Sequence, residues 1–408
     1  MVASPPSARR PLSPETVQEI SDWLVEQGLT GGTLAAILAE FCDRMVGRGF
    51  PIVRVHLSFS TLHPNFSAFG CTWRRQGEVI RDSYDIDAAD RQRWQESPIR
   101  PLVEEGLPNI RRRLVGPEAK LDYPMLSELR DDGGTDWYAN KVAFSGLDTP
   151  TSLIGIVMSW LTDHPEGFSD HDVAVIERLT LRLALVVYRV SLEQVAVNLL
   201  DTYVGRQAGQ HILMGRIRRG DLERIDAVIL FADLRGFTKA SETTPAERLV
   251  QGLNDYLGSL TEAIEAQGGE VLKFLGDGLL AVFVLAGAAP GAMCQAALAA
   301  ADRALAENRE LNRDRAAAGE PVMPLDIALH QGEVLYGNVG SAKRLDFTVI
   351  GPAVNQAARI EALCEPLGEP LLLSARFAGC AGVAVRSLGT HALKGVAEPQ
   401  EVFAPQSS

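Results

Sequence analysis

Cysteine is scarce and scattered: five residues in 408, at Cys42, Cys71, Cys294, Cys364 and Cys380. No pair has CxxC spacing, so neither a zinc site nor a disulfide framework is expected, and the odd count fits a reducing compartment. The seven histidines form no evident metal or triad cluster. His56, His63 and Cys71 match no metal-site spacing and read as structural. Basic charge is also short, with 39 Lys and Arg against 52 Asp and Glu and a net charge of -13. That balance disfavours nucleic-acid binding and attachment to an anionic membrane, and it attracts cations. Residues 1–13, rich in Pro, Ser and Arg, lack the apolar stretch of a secretory leader and read as a loose tail. Residues 278–301 carry no charge and are long enough to span a bilayer. Gly287, Pro290 and Gly291 split them, however, so a buried strand, a turn and a packed helix are expected. The reading is a soluble, cytoplasmic protein with no membrane insertion and no nucleic-acid partner.

What is present is ordinary globular material, 46% hydrophobic and 22% charged, at a length that suggests two or three domains. Ser13 and Pro14 open a helix, and Leu34, Ile37, Leu38, Phe41 and Met45 recur at helical spacing. Residues 53–59 alternate as a half-buried strand does. Further strands are expected at 68–73, 77–83, 137–144 and 152–162, around a polar, irregular stretch at 98–134. Ser169 caps a long helix with Asp172 in its first turn. Its Ile176, Leu179, Leu183, Val186 and Val190 follow 3-4 spacing, which fits either a parallel coiled-coil seam between two protomers or a face packed on its own domain. The helix is expected to end near Gly205. The order of elements resembles a GAF-type sensor domain, on the run Leu153-Ile-Gly-Ile-Val-Met-Ser-Trp followed by Gly167-Phe-Ser-Asp-His-Asp. The plain alternative is an α+β domain without a ligand. The expected organisation is a GAF-like domain at 14–190, a helical transducer at 191–223 and a second domain at 224–404.

The second domain opens with Ala227-Val-Ile-Leu-Phe-Ala-Asp-Leu-Arg-Gly-Phe-Thr. Val228–Ala232 is a buried strand with Asp233 at its end, where a carboxylate can leave the core. Thr244, Pro245 and Glu247 follow as a helix start. The next run, Gly269-Glu-Val-Leu-Lys-Phe-Leu-Gly-Asp-Gly, places Asp277 in a tight hairpin between two glycines. Two carboxylates at strand ends suit a hard divalent cation, and the glycines leave room for a bulky anion. A third run, Leu345-Asp-Phe-Thr-Val-Ile-Gly-Pro-Ala-Val-Asn-Gln-Ala-Ala-Arg-Ile-Glu, puts Asn355 and Arg359 on one helix face. An amide beside a guanidinium suits an anion and a ribose.

With Ile327-Ala-Leu-His-Gln-Gly-Glu-Val-Leu-Tyr-Gly-Asn-Val-Gly-Ser between them, these runs resemble the class III nucleotide cyclase catalytic domain. The resemblance implies an α+β, ferredoxin-like α/β fold acting as a homodimer, with active sites at the subunit interface. It implies two Mg²⁺ or Mn²⁺ ions per site, held by Asp233, Asp277 and the Leu234 carbonyl. Backbone amides of Arg235, Gly236, Phe237 and Thr238 would cradle the terminal phosphates. Asn355 and Arg359 would orient the ribose and stabilise the transition state from the other protomer. Lys273 stands where the family reads the base; a lysine donates to adenine N1, where guanine presents a donor. Thr348 is its partner position, in a version that resembles the subclass often responsive to bicarbonate. Lys394 resembles a C-terminal phosphate contact. Asp326 stands where some relatives carry a phosphate-binding arginine, so that role has no owner. The expected activity is adenylate cyclase, ATP to 3',5'-cyclic AMP and pyrophosphate, under control of the first domain. Guanylate cyclase and a degenerate, non-catalytic cyclase fold are the alternatives. The first domain would be either a small-molecule receptor or a dimerisation scaffold.

Overall fold

The structure, a computed structural model, describes residues 11–60, 66–85, 88–144, 155–285 and 290–406. The expected strand start at 152–154 and the turn at Gly287 lie outside these residues, as does His63. Two compact units divide the chain, Met1–Leu199 and Leu200–Ser408.

The first unit runs α1 (Pro14–Thr30), α2 (Leu34–Gly47), β1 (Arg54–Ser60), β2 (Phe66–Arg74), β3 (Ile80–Asp85), α3 (Ala88–Gln95), α4 (Arg100–Glu104), β4 (Asn109–Arg113), α5 (Pro124–Asp131), β5 (Asp136–Ala143), β6 (Gly155–Thr162) and α6 (Asp170–Val204). Ser13 caps α1 by accepting from the Thr16 amide at 3.3 Å, and Pro14 fills the first helical position. Ser169 Oγ accepts from the Asp172 amide at 3.2 Å while Asp172 Oδ2 accepts from the Ser169 amide at 2.7 Å, a reciprocal box that starts α6. The strands form one antiparallel sheet in the order β3-β2-β1-β6-β5-β4. One face packs Leu57, Met158 and Trp160 against Leu38, Phe41, Leu179 and Leu183 of the helices. The other packs Trp137, Val157 and Leu161 against Leu102, Leu126 and Leu129.

Two expectations give way here. The stretch 98–134 holds α4, β4 and α5, because its few apolar residues, Leu102, Ile110, Leu126 and Leu129, all cover that second sheet face. The 3-4 stripe of α6 is no seam between protomers over most of its length: Ile176, Leu179, Leu183 and Val186 are buried in the unit's own core. Each such side chain contributes about 1.5–3 kcal/mol by leaving water, which fixes the helix rotation. The stripe left exposed is Leu181, Leu185, Leu192 and Leu199. Among the described residues, α6 is also the one helix long and apolar enough by composition to cross a membrane.

The second unit continues with α7 (Arg206–Leu213), β7 (Leu222–Leu234), α8 (Phe237–Thr243), α9 (Ala246–Glu265), β8 (Glu270–Leu275), β9 (Gly278–Val284), α10 (Pro290–Ala317), β10 (Leu325–Gly340), β11 (Leu345–Ile350), α11 (Pro352–Glu361), α12 (Cys364–Leu367), β12 (Leu371–Ser374), α13 (Ala375–Ala381), β13 (Val385–His391) and β14 (Gln400–Pro405). The sheet order is β13-β14-β12-β10-β7-β9-β8, with β11 also paired to β10. Thr244 does not cap α9; Pro245 occupies the cap position without a side-chain bond. The long strands β7 and β10 pair antiparallel from Leu222 opposite Gly337 to Leu234 opposite Leu325. Leu230, Ala281, Phe283 and Leu329 face α9 and α10, while Ile229, Val282 and Val334 face Ala208 of α7 and Ala353 and Ala357 of α11. A sheet covered on both faces by helices pushes polar side chains to strand ends, and the site forms at one such end.

Candidate active site

β7 is apolar until it leaves the core, and Asp233 is its penultimate residue. Beside it the β8–β9 hairpin turns through Gly276 and Asp277, with Leu275 opposite Gly278 and Gly276 left-handed at φ 74°. Gly278 lets the two meet. A Cβ there would lie 2.4 Å from the Ala232 carbonyl oxygen and 2.7 Å from Asp233 Oδ1. Burial, and then the Asp277 carboxylate, push the Asp233 carboxyl up to about 6, against one lowering bond from the Leu234 amide. Two carboxylates beside the Leu234 carbonyl at a strand end form an all-oxygen donor set suited to a hard divalent cation. Among the described residues no group of three His, Cys, Asp or Glu converges as a metal cage.

The cleft around them has a volume of about 350 Å³. After Leu234 the chain turns through Gly236, left-handed at φ 77°, into α8. The amides of Phe237 and Thr238 open that helix and so have no acceptor within it. Arg235 departs from expectation. Its amide already donates to the Pro324 carbonyl at 2.8 Å. Its guanidinium instead grips Asp326, Nε to Oδ2 and Nη2 to Oδ1. Asp326 stands directly opposite Asp233 in the β7–β10 ladder. Sequence reading also missed Glu361 and Glu365, which line the same cleft. Burial, then Asp233 and Asp326, push the Glu361 carboxyl up to about 7.

The remaining expected residues lie outside this cleft. Lys273, on β8 just past a register slip in the β8–β9 ladder, reaches Asp346 Oδ2 at 3.7 Å. Such a slip re-aims the side chains beside it. Thr348 is on the same side of β11 as Asp346 by alternation, and its buried hydroxyl has no hydrogen-bond partner among the described residues. Asp346 was missed as a partner of Lys273, although the i, i+2 spacing to Thr348 carried the signal. Arg359 lies against the turn that holds Lys394: a Cβ on Gly395 would sit 3.8 Å from its Nη2. Lys394 and Asn355 are exposed. One chain therefore brings together Asp233, Leu234, Arg235, Gly236, Phe237, Thr238 and Asp277. It does not bring Lys273, Thr348, Asn355, Arg359 or Lys394 into the same cleft.

The residues that build this cleft fall within a known family pattern: 221–371 match the adenylate and guanylate cyclase catalytic domain. An adenylate cyclase of Anabaena cylindrica is 37% identical over 150 residues, which are 36% of this chain and 29% of that one. An uncharacterized protein of Mycobacterium tuberculosis is 33% identical over 215 residues, 51% of this chain and 36% of that one. The chain thus spans about a third of the length of these curated relatives. Among solved structures, the adenylyl cyclase CyaB from P. aeruginosa is 27% identical, covering 46% of this chain and 97% of that chain with a TM-score of 0.43. The matched residues include Asp233 and Asp277.

Proposed function

We propose that the chain is an adenylate cyclase that works as a homodimer and is regulated by its first unit. The observation that carries the reading is the Asp233–Asp277 pair, held together by Gly278 in a class III cyclase domain. In the reaction the 3'-oxygen of ATP forms a bond to the α-phosphorus as the bond to the diphosphate breaks. The proton on the 3'-hydroxyl goes to solvent, and the diphosphate leaves with the electron pair. Asp233, Asp277 and the Leu234 carbonyl would hold a divalent cation, which would supply Lewis-acid stabilisation of the charge on the reacting phosphate oxygens. The amides of Phe237 and Thr238 take phosphate oxygens. Asn355 holds the ribose, Arg359 offsets charge growing at the α-phosphate, and both come from the second protomer, as does Lys394. The exposed apolar side chains Phe274, Leu275 and Ile350, close in sequence to Asp277 and Thr348, are surface that a second copy would cover.

Adenine is the base that Lys273 and Thr348 favour. The ammonium donates to N1, and the unpartnered Thr348 hydroxyl accepts from the exocyclic amine. Cyclic nucleotide formation from ATP and GTP, with Mg²⁺ or Mn²⁺, tests this beside Lys273→Glu. Wild type is expected to prefer ATP. The variant is expected to lose about two orders of magnitude in the ATP to GTP ratio of kcat/KM, since a site built to donate a hydrogen bond rejects the base that cannot accept it. An unchanged ratio would remove Lys273 from base selection.

The first unit is read as a GAF-like sensor. Support comes from the face of its sheet that carries Ser159 and Trp137: Ser159 Oγ, Trp137 Nε1 and, by alternation on the same face, Arg54 Nε are buried without a partner among the described residues. Unpaired buried donors are costly, and a bound small molecule rich in acceptors would satisfy them. A panel of small carboxylates, phosphates and nucleotides is expected to contain one that raises the melting temperature saturably in wild type and less in Ser159→Ala. No saturable shift across the panel would leave the unit as a dimerisation scaffold.

A further inference from the structure

We propose that Arg235, aimed by Asp326, is the side chain of this protein that takes the leaving diphosphate; the proposal rests on the cyclase reading above. The cleft is crowded with acid. Asp233, Asp277, Asp326, Glu361 and Glu365 all line it, and Arg235 is the one cationic side chain that does so among the described residues. A polyphosphate tail entering this cleft meets repulsion from every charged side chain except Arg235.

The way Arg235 is held fits the task. Asp326 is nearly fully buried, and it accepts from Nε and Nη2 in a two-pronged grip. That leaves the opposite edge of the guanidinium, with both hydrogens of Nη1, without a hydrogen bond among the described residues. The Arg235 side chain is 27% exposed and lines the cleft. A fork fixed on one side and open on the other is a preorganised binder of phosphate oxygens.

A purely structural clamp explains less. The loop is already tied to the start of β10 by the Arg235 amide and the Pro324 carbonyl. A buried ion pair adds little stability over an apolar pair of the same volume. The pair instead does two things at once: Arg235 offsets the Asp326 charge next to Asp233, and Asp326 holds the guanidinium in one orientation. Asp326 is thus a positioning residue, and Arg235 the contact.

The test uses the full chain and product inhibition, because the two products separate the two ends of the nucleotide. In Arg235→Gln, inhibition by inorganic pyrophosphate is expected to weaken at least tenfold, while inhibition by the cyclic nucleotide changes less than twofold. Arg235→Lys keeps the charge but loses the fork, and is expected to fall between. Asp326→Asn, which frees the guanidinium, is expected to weaken pyrophosphate inhibition less than Arg235→Gln does. The exchange Arg235→Asp with Asp326→Arg is expected to recover part of it. Equal weakening by both products, or no weakening, would overturn the proposal and leave a structural clamp. If wild type forms no cyclic nucleotide from ATP or GTP, the cyclase reading fails by itself. Calorimetric binding of pyrophosphate with Mn²⁺ to wild type and Arg235→Gln then decides Arg235 separately: equal affinity overturns its role, and weaker binding in the variant upholds it.

Discussion

Replacing Asp277 by asparagine is expected to abolish turnover and, in metal-free protein, to raise the melting temperature. The two effects have one cause. Asp233 is pushed up to about 6 by burial first and by Asp277 second, so part of the cost of ionising it comes from its neighbour. Removing that neighbour's charge relieves the fold and removes a cation ligand in the same step. The pH dependence follows from the sign of the shift. A carboxyl whose folded pKa lies above its unfolded value favours folding most when protonated, and that contribution is lost as pH rises through the folded pKa. For Asp233 the window runs from about pH 4 to about pH 6, and Glu361, pushed up to about 7, carries it onward with the same sign. Metal-free wild type is therefore expected to lose stability between about pH 4 and about pH 7, and Asp277→Asn to lose less. Mg²⁺ should reverse the order. It competes with protons for Asp233, so its stabilising effect should grow from pH 5 to pH 7 in wild type and be small in the variant. Turnover in the variant should fall by about three orders of magnitude or more. Calorimetry with and without Mg²⁺ across that range is the measurement. A lower metal-free melting temperature in Asp277→Asn, or a full Mg²⁺ response, would show that the carboxylates do not share a cation.

The features legible in the sequence were local ones. Val228–Ala232 is apolar enough to be a buried strand, and Asp233 is the first charge after it; no tertiary knowledge is needed to see that it emerges at an edge. Gly276-Asp277-Gly278 announces a turn for the same reason. What stayed hidden depended on register between distant segments. Asp326 faces Asp233 only because β7 and β10 pair from Leu222 to Leu234 in that alignment, 93 residues apart at this position. Without the pairing, Asp326 looks like a lost arginine; with it, Asp326 is the anchor of another arginine. The α6 stripe shows the opposite limit. Ile176, Leu179, Leu183 and Val186 have the spacing of a seam between helices, but periodicity says only that one face is apolar. Whether a sheet or a second helix covers that face is decided by β1, β2 and β6, more than a hundred residues upstream in the first two cases.

Two inactive variants are expected to restore each other. In the proposed reaction Asp277→Ala removes a cation ligand, and Arg359→Ala removes the guanidinium that would offset charge at the α-phosphate, at a cost of about 10²–10³ in turnover for such a donor. The two residues belong to different clusters of the same chain: Asp277 lines the acidic cleft, while Arg359 lies against the Lys394–Gly395 turn. If each active site is built from the cleft of one protomer and the Arg359 cluster of its partner, mixed dimers contain one doubly damaged site and one intact site. Random mixing of equal amounts makes half the dimers mixed, so about a quarter of wild-type activity should return from a closed two-fold assembly. The recovered turnover should have wild-type KM, because the surviving site is unaltered. Restoration would also fix the direction of signalling: anything the first unit does to the reaction would have to act by moving one catalytic domain against another, since neither chain alone holds both clusters in one place. A mixture that stays as inactive as its parents, with subunit exchange demonstrated by a tagged partner, would mean that Asp277 and Arg359 serve the same chain, and the shared-site reading would fall with it.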